Sequence, residues 1–249
     1  EAVGARVTRF KPGDAVYGTC DGSFAQYACT REDRLAHKPA NIGFDQAAAV
    51  PVSAVTALQA LQDVGRVQPG HKVLIIGAAG GVGTYAVQLA KAFGAVVTGV
   101  CSTGKLELVR SIGAHEVIDY TREDFADRRG YYDLILDIAG NRTLAHLRAA
   151  LAPKGTLVLV GGEGGGRFFG GIGRTLRAML LSIFVSQKLR GLMAIPRVQD
   201  LDQLTALIEA GELVPVIERT YPLAAAADAI RHMSAGHARG KLVVAVEPA

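Results

Sequence analysis

The segment Lys72-Val73-Leu74-Ile75-Ile76-Gly77-Ala78-Ala79-Gly80-Gly81-Val82-Gly83 constrains the fold more than any other part of the chain. Residues 73–76 form an apolar run of strand length, and a turn of glycines and alanines comes next. Val82, Ala86, Leu89 and Phe93 then recur at helical spacing, so a helix starts inside the turn. Strand, glycine turn and helix are the context that a dinucleotide-binding loop requires. Ala78, Gly80 and Gly83 fall on the three small-residue positions of G-x-G-x-x-G, with alanine in the first. Gly80 would let the backbone approach a pyrophosphate, and Gly83 would let the helix pack close to the strand. The amides of Ala79, Gly81 and Val82 around them complete the loop, whose helix end favours anions.

The residues after the loop bear on the choice of cofactor. Lys91, Phe93 and Gly94 end the first helix, and residues 96–100 read as the second strand. An NAD site carries Asp or Glu about 20 residues past the glycines, at the tip of that strand. Here Cys101 stands at the tip, then Ser102, Thr103, Gly104 and Lys105. No acid is present there to repel a 2′-phosphate, and two hydroxyls and an ammonium are available to bind one. The pattern predicts NADP(H). Ser102 and Thr103 also suit the N-cap of a helix over 105–112, and the two roles are compatible.

With 249 residues, 49% apolar and 20% charged, the chain can bury a sizeable core. The net charge of +4 is too small and too dispersed to predict nucleic-acid binding. No apolar run approaches the ~20 residues that span a bilayer, and no apolar signal region opens the sequence. Cys20, Cys29 and Cys101 are an odd number without metal-ligand spacing, which fits a reducing compartment and a cytoplasmic location. The formal glycosylation sequon Asn141-Arg142-Thr143 receives no weight in that setting.

Strand patterns fall at 73–76, 96–100, 116–118, 133–137, 156–160 and 191–195, with helical stretches starting near Val82, Lys105, Glu123, Thr143 and Thr175. This alternation predicts an α/β fold, a doubly wound parallel sheet with helices on both faces. The first ~50 residues, by contrast, carry turn signals between short β-like runs. The end of the chain reads as a helix over 199–210, an extended run at 214–217, a helix over 223–234 and a strand over 241–246. A glycine-rich stretch from Gly161 to Gly173 reads as a loop.

Several stretches, in matching order, give the chain a specific resemblance. They are Phe10-Lys11-Pro12-Gly13-Asp14-Ala15-Val16-Tyr17-Gly18, Gly22-Ser23-Phe24-Ala25-Gln26-Tyr27, Ala47-Ala48-Ala49-Val50-Pro51 through Thr56-Ala57, the loop itself, Val117-Ile118-Asp119-Tyr120, Gly155-Thr156-Leu157-Val158 and Gly240-Lys241-Leu242-Val243. Together they resemble the zinc-independent medium-chain dehydrogenase/reductases of the quinone oxidoreductase type. The resemblance implies a partial GroES-like β-barrel domain from residues 1–54 with 196–249, around a Rossmann NADP-binding domain over 55–195. It implies that Thr56 approaches the phosphates, that Lys105 and Tyr120 approach the 2′-phosphate, that Gly161 and Gly162 line the nicotinamide end, and that Lys241 lies near the cofactor. Tyr120 reads equally as a surface aromatic and Lys241 as an edge-strand charge. A homodimer through the sheet edge at 191–195 is also implied.

Two departures from the wider superfamily matter. Val52 stands four residues before Thr56, where zinc alcohol dehydrogenases carry a ligand cysteine, and Cys20 is alone where those enzymes cluster four. No metal is therefore expected. Members of the family also carry a further segment before the point matching Glu1, so the barrel part is expected to be N-terminally truncated. The chain has no Tyr-x-x-x-Lys relay, G-x-S-x-G elbow or phosphate-loop motif. His37, His71, His115, His146, His232 and His237 are scattered, and no catalytic residue stands out. Asp137, at a strand's carboxyl end, fits either cleft structure or function. The expectation is hydride transfer from NADPH to a quinone or an α,β-unsaturated carbonyl. The alternative is a non-catalytic NADP-binding protein or partner subunit.

Overall fold

The computed structural model describes residues 1–160, 170–236 and 238–246. The chain separates into two compact units, Thr56–Ala194 and the pair Glu1–Val55 with Ile195–Ala249.

Thr56–Ala194 is built on a six-stranded parallel sheet. Its strands are β3 (Lys72–Ile76), β4 (Val96–Cys101), β5 (Glu116–Asp119), β6 (Tyr132–Asp137), β7 (Leu151–Leu159) and β8 (Lys188–Gly191), in the order β5-β4-β3-β6-β7-β8. Helices α3 (Gly83–Ala92), α4 (Leu106–Ser111), α5 (Leu144–Ala150) and α6 (Gly170–Ser182) form the crossovers. Strands covered on both faces need near-continuous apolar sequence. Val73, Leu74 and Ile75 of β3 and Leu134, Ile135 and Leu136 of β6 are accordingly buried. Tyr85, Ala86, Leu89 and Ala90 bring α3 onto the sheet at helical spacing. Gly99 sets the approach of α4, since a Cβ there would come within 2.4 Å of Val109 Cγ1. Phe125, Leu147, Leu157 and Leu189 extend the core toward β8.

The other unit contains two small sheets. β1 (Val16–Gly18) pairs antiparallel with β2 (Leu35–His37), and β9 (Ile217–Pro222) pairs parallel with β10 (Lys241–Ala245). α1 (Phe44–Ala49) starts where the Gly43 amide donates to Gln46 Oε1, 3.2 Å away. α2 (Pro51–Gln59) comes next, and α7 (Val198–Glu209) and α8 (Ala226–Ser234) lie in the C-terminal part. The buried Tyr17 hydroxyl donates to Leu201 O at 2.8 Å, and Asn41 Nδ2 donates to Ile208 O at 2.8 Å. The latter joins the Gly211 amide, 3.0 Å away, on a carbonyl in the last turn of α7. No helix of the described residues is long and apolar enough to cross a membrane.

Several element boundaries differ from those the sequence predicts. The last strand of the large sheet is Lys188–Gly191 rather than 191–195. Leu192 N still donates to Leu159 O at 3.0 Å, but β7 ends there and offers no further ladder. Met193 and Ile195 come next as exposed apolar side chains. The strand expected at 214–217 forms at Ile217–Pro222, a polar run that owes its conformation to the β10 ladder. Residues 22–27 form no strand, and Phe24 and Tyr27 are exposed. A strand needs a neighbour, and no ladder of the described residues reaches them. The helix expected near Glu123 is a single 3-10 turn, Phe125–Asp127, capped by Asp124.

Candidate active site

The strand order reverses at β3, with β4 and β5 on one side and β6 to β8 on the other. Sheets wound this way bind ligands at the carboxyl ends of the strands flanking that switch point. Three loops meet there. Gly77 leaves β3 with φ +88°, a left-handed conformation that glycine adopts without strain. The amides of Ile138 and Ala139, just after β6, both donate to Ile76 O and pin the neighbouring loop against it. Gly80 N donates to Gly77 O at 3.1 Å, closing the turn.

Gly83 is the tightest position. A Cβ there would lie 2.1 Å from Gly77 O and 2.8 Å from Ala78 C, so only glycine lets α3 begin this close to β3. Gly80 is different, since a Cβ would meet only Gly77 O, at 3.4 Å. Ala79 is buried beneath the turn, while Gly80, Gly81 and Val82 are half-buried. The Gly81 and Val82 amides make no hydrogen bond to a described residue. Small residues, a close helix start and uncommitted amides fit a pyrophosphate, whose oxygens take such donors.

The tips of β4 and β5 lie side by side through the pairing Cys101↔Asp119. Ser102 precedes the 3-10 turn Thr103–Lys105, which Lys105 ends, and Ser102 makes no side-chain cap bond. Thr103 Oγ1 donates to Asp119 Oδ2 at 2.5 Å, while Thr121 donates to Asp119 through its hydroxyl at 2.7 Å and its amide at 3.0 Å. The Thr103 hydrogen bond, joined by those from Thr121 and by Arg122, holds the Asp119 carboxyl below its ordinary range. Asp119 is the acid at this tip that local sequence does not reveal. It comes from the next strand, and the hydrogen bonds from Thr103 and Thr121 hold it as the anion. Burial pushes the Cys101 thiol up to about 11, so it stays protonated at neutral pH.

Tyr120 extends this tip, half exposed, and the Arg142 guanidinium lies over its ring at 5.9 Å. Arg142 is the middle residue of the sequon, to which the sequence assigns no role; the loop after β6 brings it here. That loop is held by Asp137, which is fully buried. Asp137 Oδ1 accepts from Gly140 N at 3.0 Å, and Oδ2 accepts from Arg174 Nη2 at 2.5 Å. Arg174 Nη2 also donates to Arg142 O at 2.6 Å. Asp137 therefore shapes the loop.

The remaining expected residues lie apart from these loops in sequence. Thr56 is half-buried on α2. Lys241 starts β10 and donates to Ser53 Oγ at 2.9 Å. Burial lowers its pKa below the usual lysine value. Lys241 also lines a hollow of about 340 Å³ with Cys20, Ser23, Phe24 and Val52. Gly161 and Gly162 lie outside the described residues. Among the described residues no three His, Cys, Asp or Glu side chains group as a metal site would require.

The chain is similar to a family model and to several known proteins. Residues 112–244 match the family model described as zinc-binding dehydrogenase. The chain is 35% identical over 266 residues to the mouse mitochondrial NAD(P)H oxidoreductase RTN4IP1, covering 98% of this chain and 67% of that protein. It is 34% identical to the chloroplastic NADPH-dependent alkenal/one oxidoreductase of Arabidopsis thaliana, covering 97% of this chain and 60% of that one. The quinone oxidoreductase of Coxiella burnetii superposes with a TM-score of 0.86 at 29% identity, over 98% of this chain and 76% of its own.

Proposed function

The chain belongs to the zinc-binding dehydrogenase family, among quinone and NAD(P)H oxidoreductases of the medium-chain dehydrogenase/reductase superfamily, and we propose on that premise that it is an NADP(H)-dependent oxidoreductase reducing quinones or α,β-unsaturated carbonyls without zinc. The observation that carries this reading is the loop at the switch point, where Gly83 admits the helix start and the Gly81 and Val82 amides are uncommitted. The activities for which the mouse, Arabidopsis and Coxiella relatives are named support it.

In this reading Ala79, Gly80, Gly81, Val82 and Gly83 hold the pyrophosphate. Ser102, Lys105, Tyr120 and Arg142 receive the 2′-phosphate, and Thr103, whose hydrogen goes to Asp119, orders the tip rather than donating to the ligand. Thr56 serves the phosphates, Gly161 and Gly162 the nicotinamide end, and Lys241 the reacting end. The bound dihydronicotinamide supplies hydride. A quinone or enone already has a low-lying acceptor orbital, so the protein's task is orientation and exclusion of water. Alcohol oxidation would need a base or a Lewis acid at the hydroxyl. Val52 has no lone pair to hold a metal, and no Tyr–Lys pair serves as the base.

NADPH should bind at least tenfold tighter than NADH, a difference of ~1.4 kcal/mol or more. Lys105→Ala with Arg142→Ala should erase most of that preference. Equal dissociation constants by fluorescence titration would overturn the cofactor assignment. NADPH absorbance should decay with a panel of quinones and enones. Zinc-dependent oxidation of simple alcohols, with no decay on that panel, would overturn the reaction.

The same reading includes a homodimer through β8. This edge strand alternates buried Leu189 with exposed Lys188 and Arg190, and Met179, Ile183, Phe184 and Met193 stand exposed nearby in the chain. An open sheet edge with exposed apolar side chains close by in the chain favours pairing even though Lys188 and Arg190 are charged, and sedimentation showing a monomer at micromolar concentration would refute it. The free thiols Cys20, Cys29 and Cys101 support a reducing compartment.

A further inference from the structure

The amino edge of the large sheet, opposite the glycine loop, carries a second hollow. Its volume is about 320 Å³, and Arg66, His71, Lys154, Lys188, Arg190 and Asp133 line it. These residues come from the starts of β6 and β8, from within β7, and from the turns before β3. Four are permanent cations. None of the four side chains makes an ion pair or hydrogen bond with a described residue. The single carboxylate, Asp133, accepts the Lys72 amide through Oδ2 at 2.9 Å. Four like charges facing one small volume repel one another, and a polyvalent anion would reverse the sign of that interaction.

Arg66 adds an independent observation. Its φ is +50°, and every other positive-φ position among the described residues is glycine. Glycine would adopt this conformation without steric cost. Arginine there keeps a guanidinium on the rim at the expense of backbone strain.

We propose that this hollow binds a small polyanion of the di- or triphosphate class, independently of the nucleotide loop. Two guanidiniums offer forked donors to phosphate oxygens, and two ammoniums act as point charges. The small volume and the modest net charge of +4 exclude an extended nucleic acid as the intended ligand.

The test is calorimetric titration with inorganic triphosphate and, separately, ATP, each with and without saturating NADPH. Inorganic triphosphate should bind saturably, one per chain, with an affinity that NADPH leaves unchanged and that falls as salt rises. Equal binding of ATP would identify the phosphate chain as the recognised part; tighter ATP binding that survives NADPH would assign the site to a nucleotide. Lys154→Gln with Arg190→Gln should weaken binding at least tenfold. Arg66→Gly should also weaken binding severalfold while raising the thermal midpoint, since it relieves the strain as it removes the charge. No saturable binding, binding abolished by NADPH, or unchanged affinity in the double variant would each overturn the proposal. Loss of stability in Arg66→Gly would show that Arg66 serves the fold instead. The Lys154/Arg190 variant decides the case even if NADPH fails to bind, which separates this site from the cofactor assignment.

Discussion

The two units of this chain are built in opposite ways. In Thr56–Ala194 the strands pair with their neighbours in sequence, except where β6 returns beside β3. The other unit joins the two ends of the chain, and its buried Tyr17–Leu201 hydrogen bond spans 184 positions. The first is specified by local periodicity and tight glycines. The second depends on single polar stitches between distant segments. Substitutions should therefore act differently in the two, and the largest difference is expected at the glycine loop.

Gly83→Val would drive a side chain into Gly77 O, which a Cβ already approaches to 2.1 Å. It should cost about 3 kcal/mol or more and remove NADPH binding along with the Thr56–Ala194 fold. Gly80→Ala meets only ordinary contact at 3.4 Å. It should fold within about 1 kcal/mol of the parent, since single surface methyls cost little, but lose NADPH affinity roughly tenfold. Chemical denaturation with fluorescence titration separates the two outcomes. Equal stability of both variants would break the claim that this unit is fixed by close backbone approach.

Core truncation comes next. Ile135 and Leu204 are both fully buried, one in each unit. Ile135→Ala and Leu204→Ala should each cost ~2–5 kcal/mol. Hydrogen exchange should place the first loss in the β3 to β8 ladders and the second around α7 and β1. Uniform loss across the chain in both variants would dissolve the distinction between the units.

The same contrast explains how much is legible in the sequence. The β3–loop–α3 segment announces itself because its signals lie within about twenty consecutive residues, the span over which a strand–turn–helix unit is encoded. The strand at Ile217–Pro222 does not, because its polar residues become a strand only beside β10. The run after Gly191 looks like a strand because it is apolar, yet β7 ends before it can be paired. At the candidate site the glycines and Lys105 can be read directly. Asp119 and Arg142 cannot, because strand register and the Asp137–Arg174 pair bring them to the tip from far along the chain. An acid directly after the buried Ile118 is the available signal for Asp119.

Tyr17→Phe tests the polar stitches of the other unit. Removing a buried hydroxyl that donates to Leu201 O should cost about 1 kcal/mol. Burial raises the Tyr17 pKa from 10.0 to about 12. Its neutral form is therefore the one the fold stabilises, so its contribution is complete below pH 10 and declines as pH rises toward 12. Thermal melts of the parent and Tyr17→Phe should converge only in strong alkali. A gap that already closes between pH 5 and 9, the range in which histidines rather than tyrosines titrate, would assign the effect to another group.

The smallest effect is expected at Asp119, and it has the opposite pH sign. Hydrogen bonds led by Thr103 lower its pKa below the ordinary 3.8. A depressed carboxyl stabilises the fold as the anion, so its contribution is full above the unfolded value and disappears as pH falls through the folded one. Asp119→Asn keeps the shape but donates where the parent only accepts, and it leaves Thr103 and Thr121 with a weaker acceptor. Its thermal midpoint should therefore lie slightly below the parent's at neutral pH, with the gap closing once the pH drops below 3.8. Because Thr103 would be held less firmly, NADPH preference over NADH should also decline in this variant while the loop at Gly80 still binds both. An unchanged preference would mean that the Asp119 network serves the strand tips alone. A midpoint gap that widens in acid would mean that Asp119 is stabilised as the neutral acid, and the ordering role given to Thr103 would fail with it.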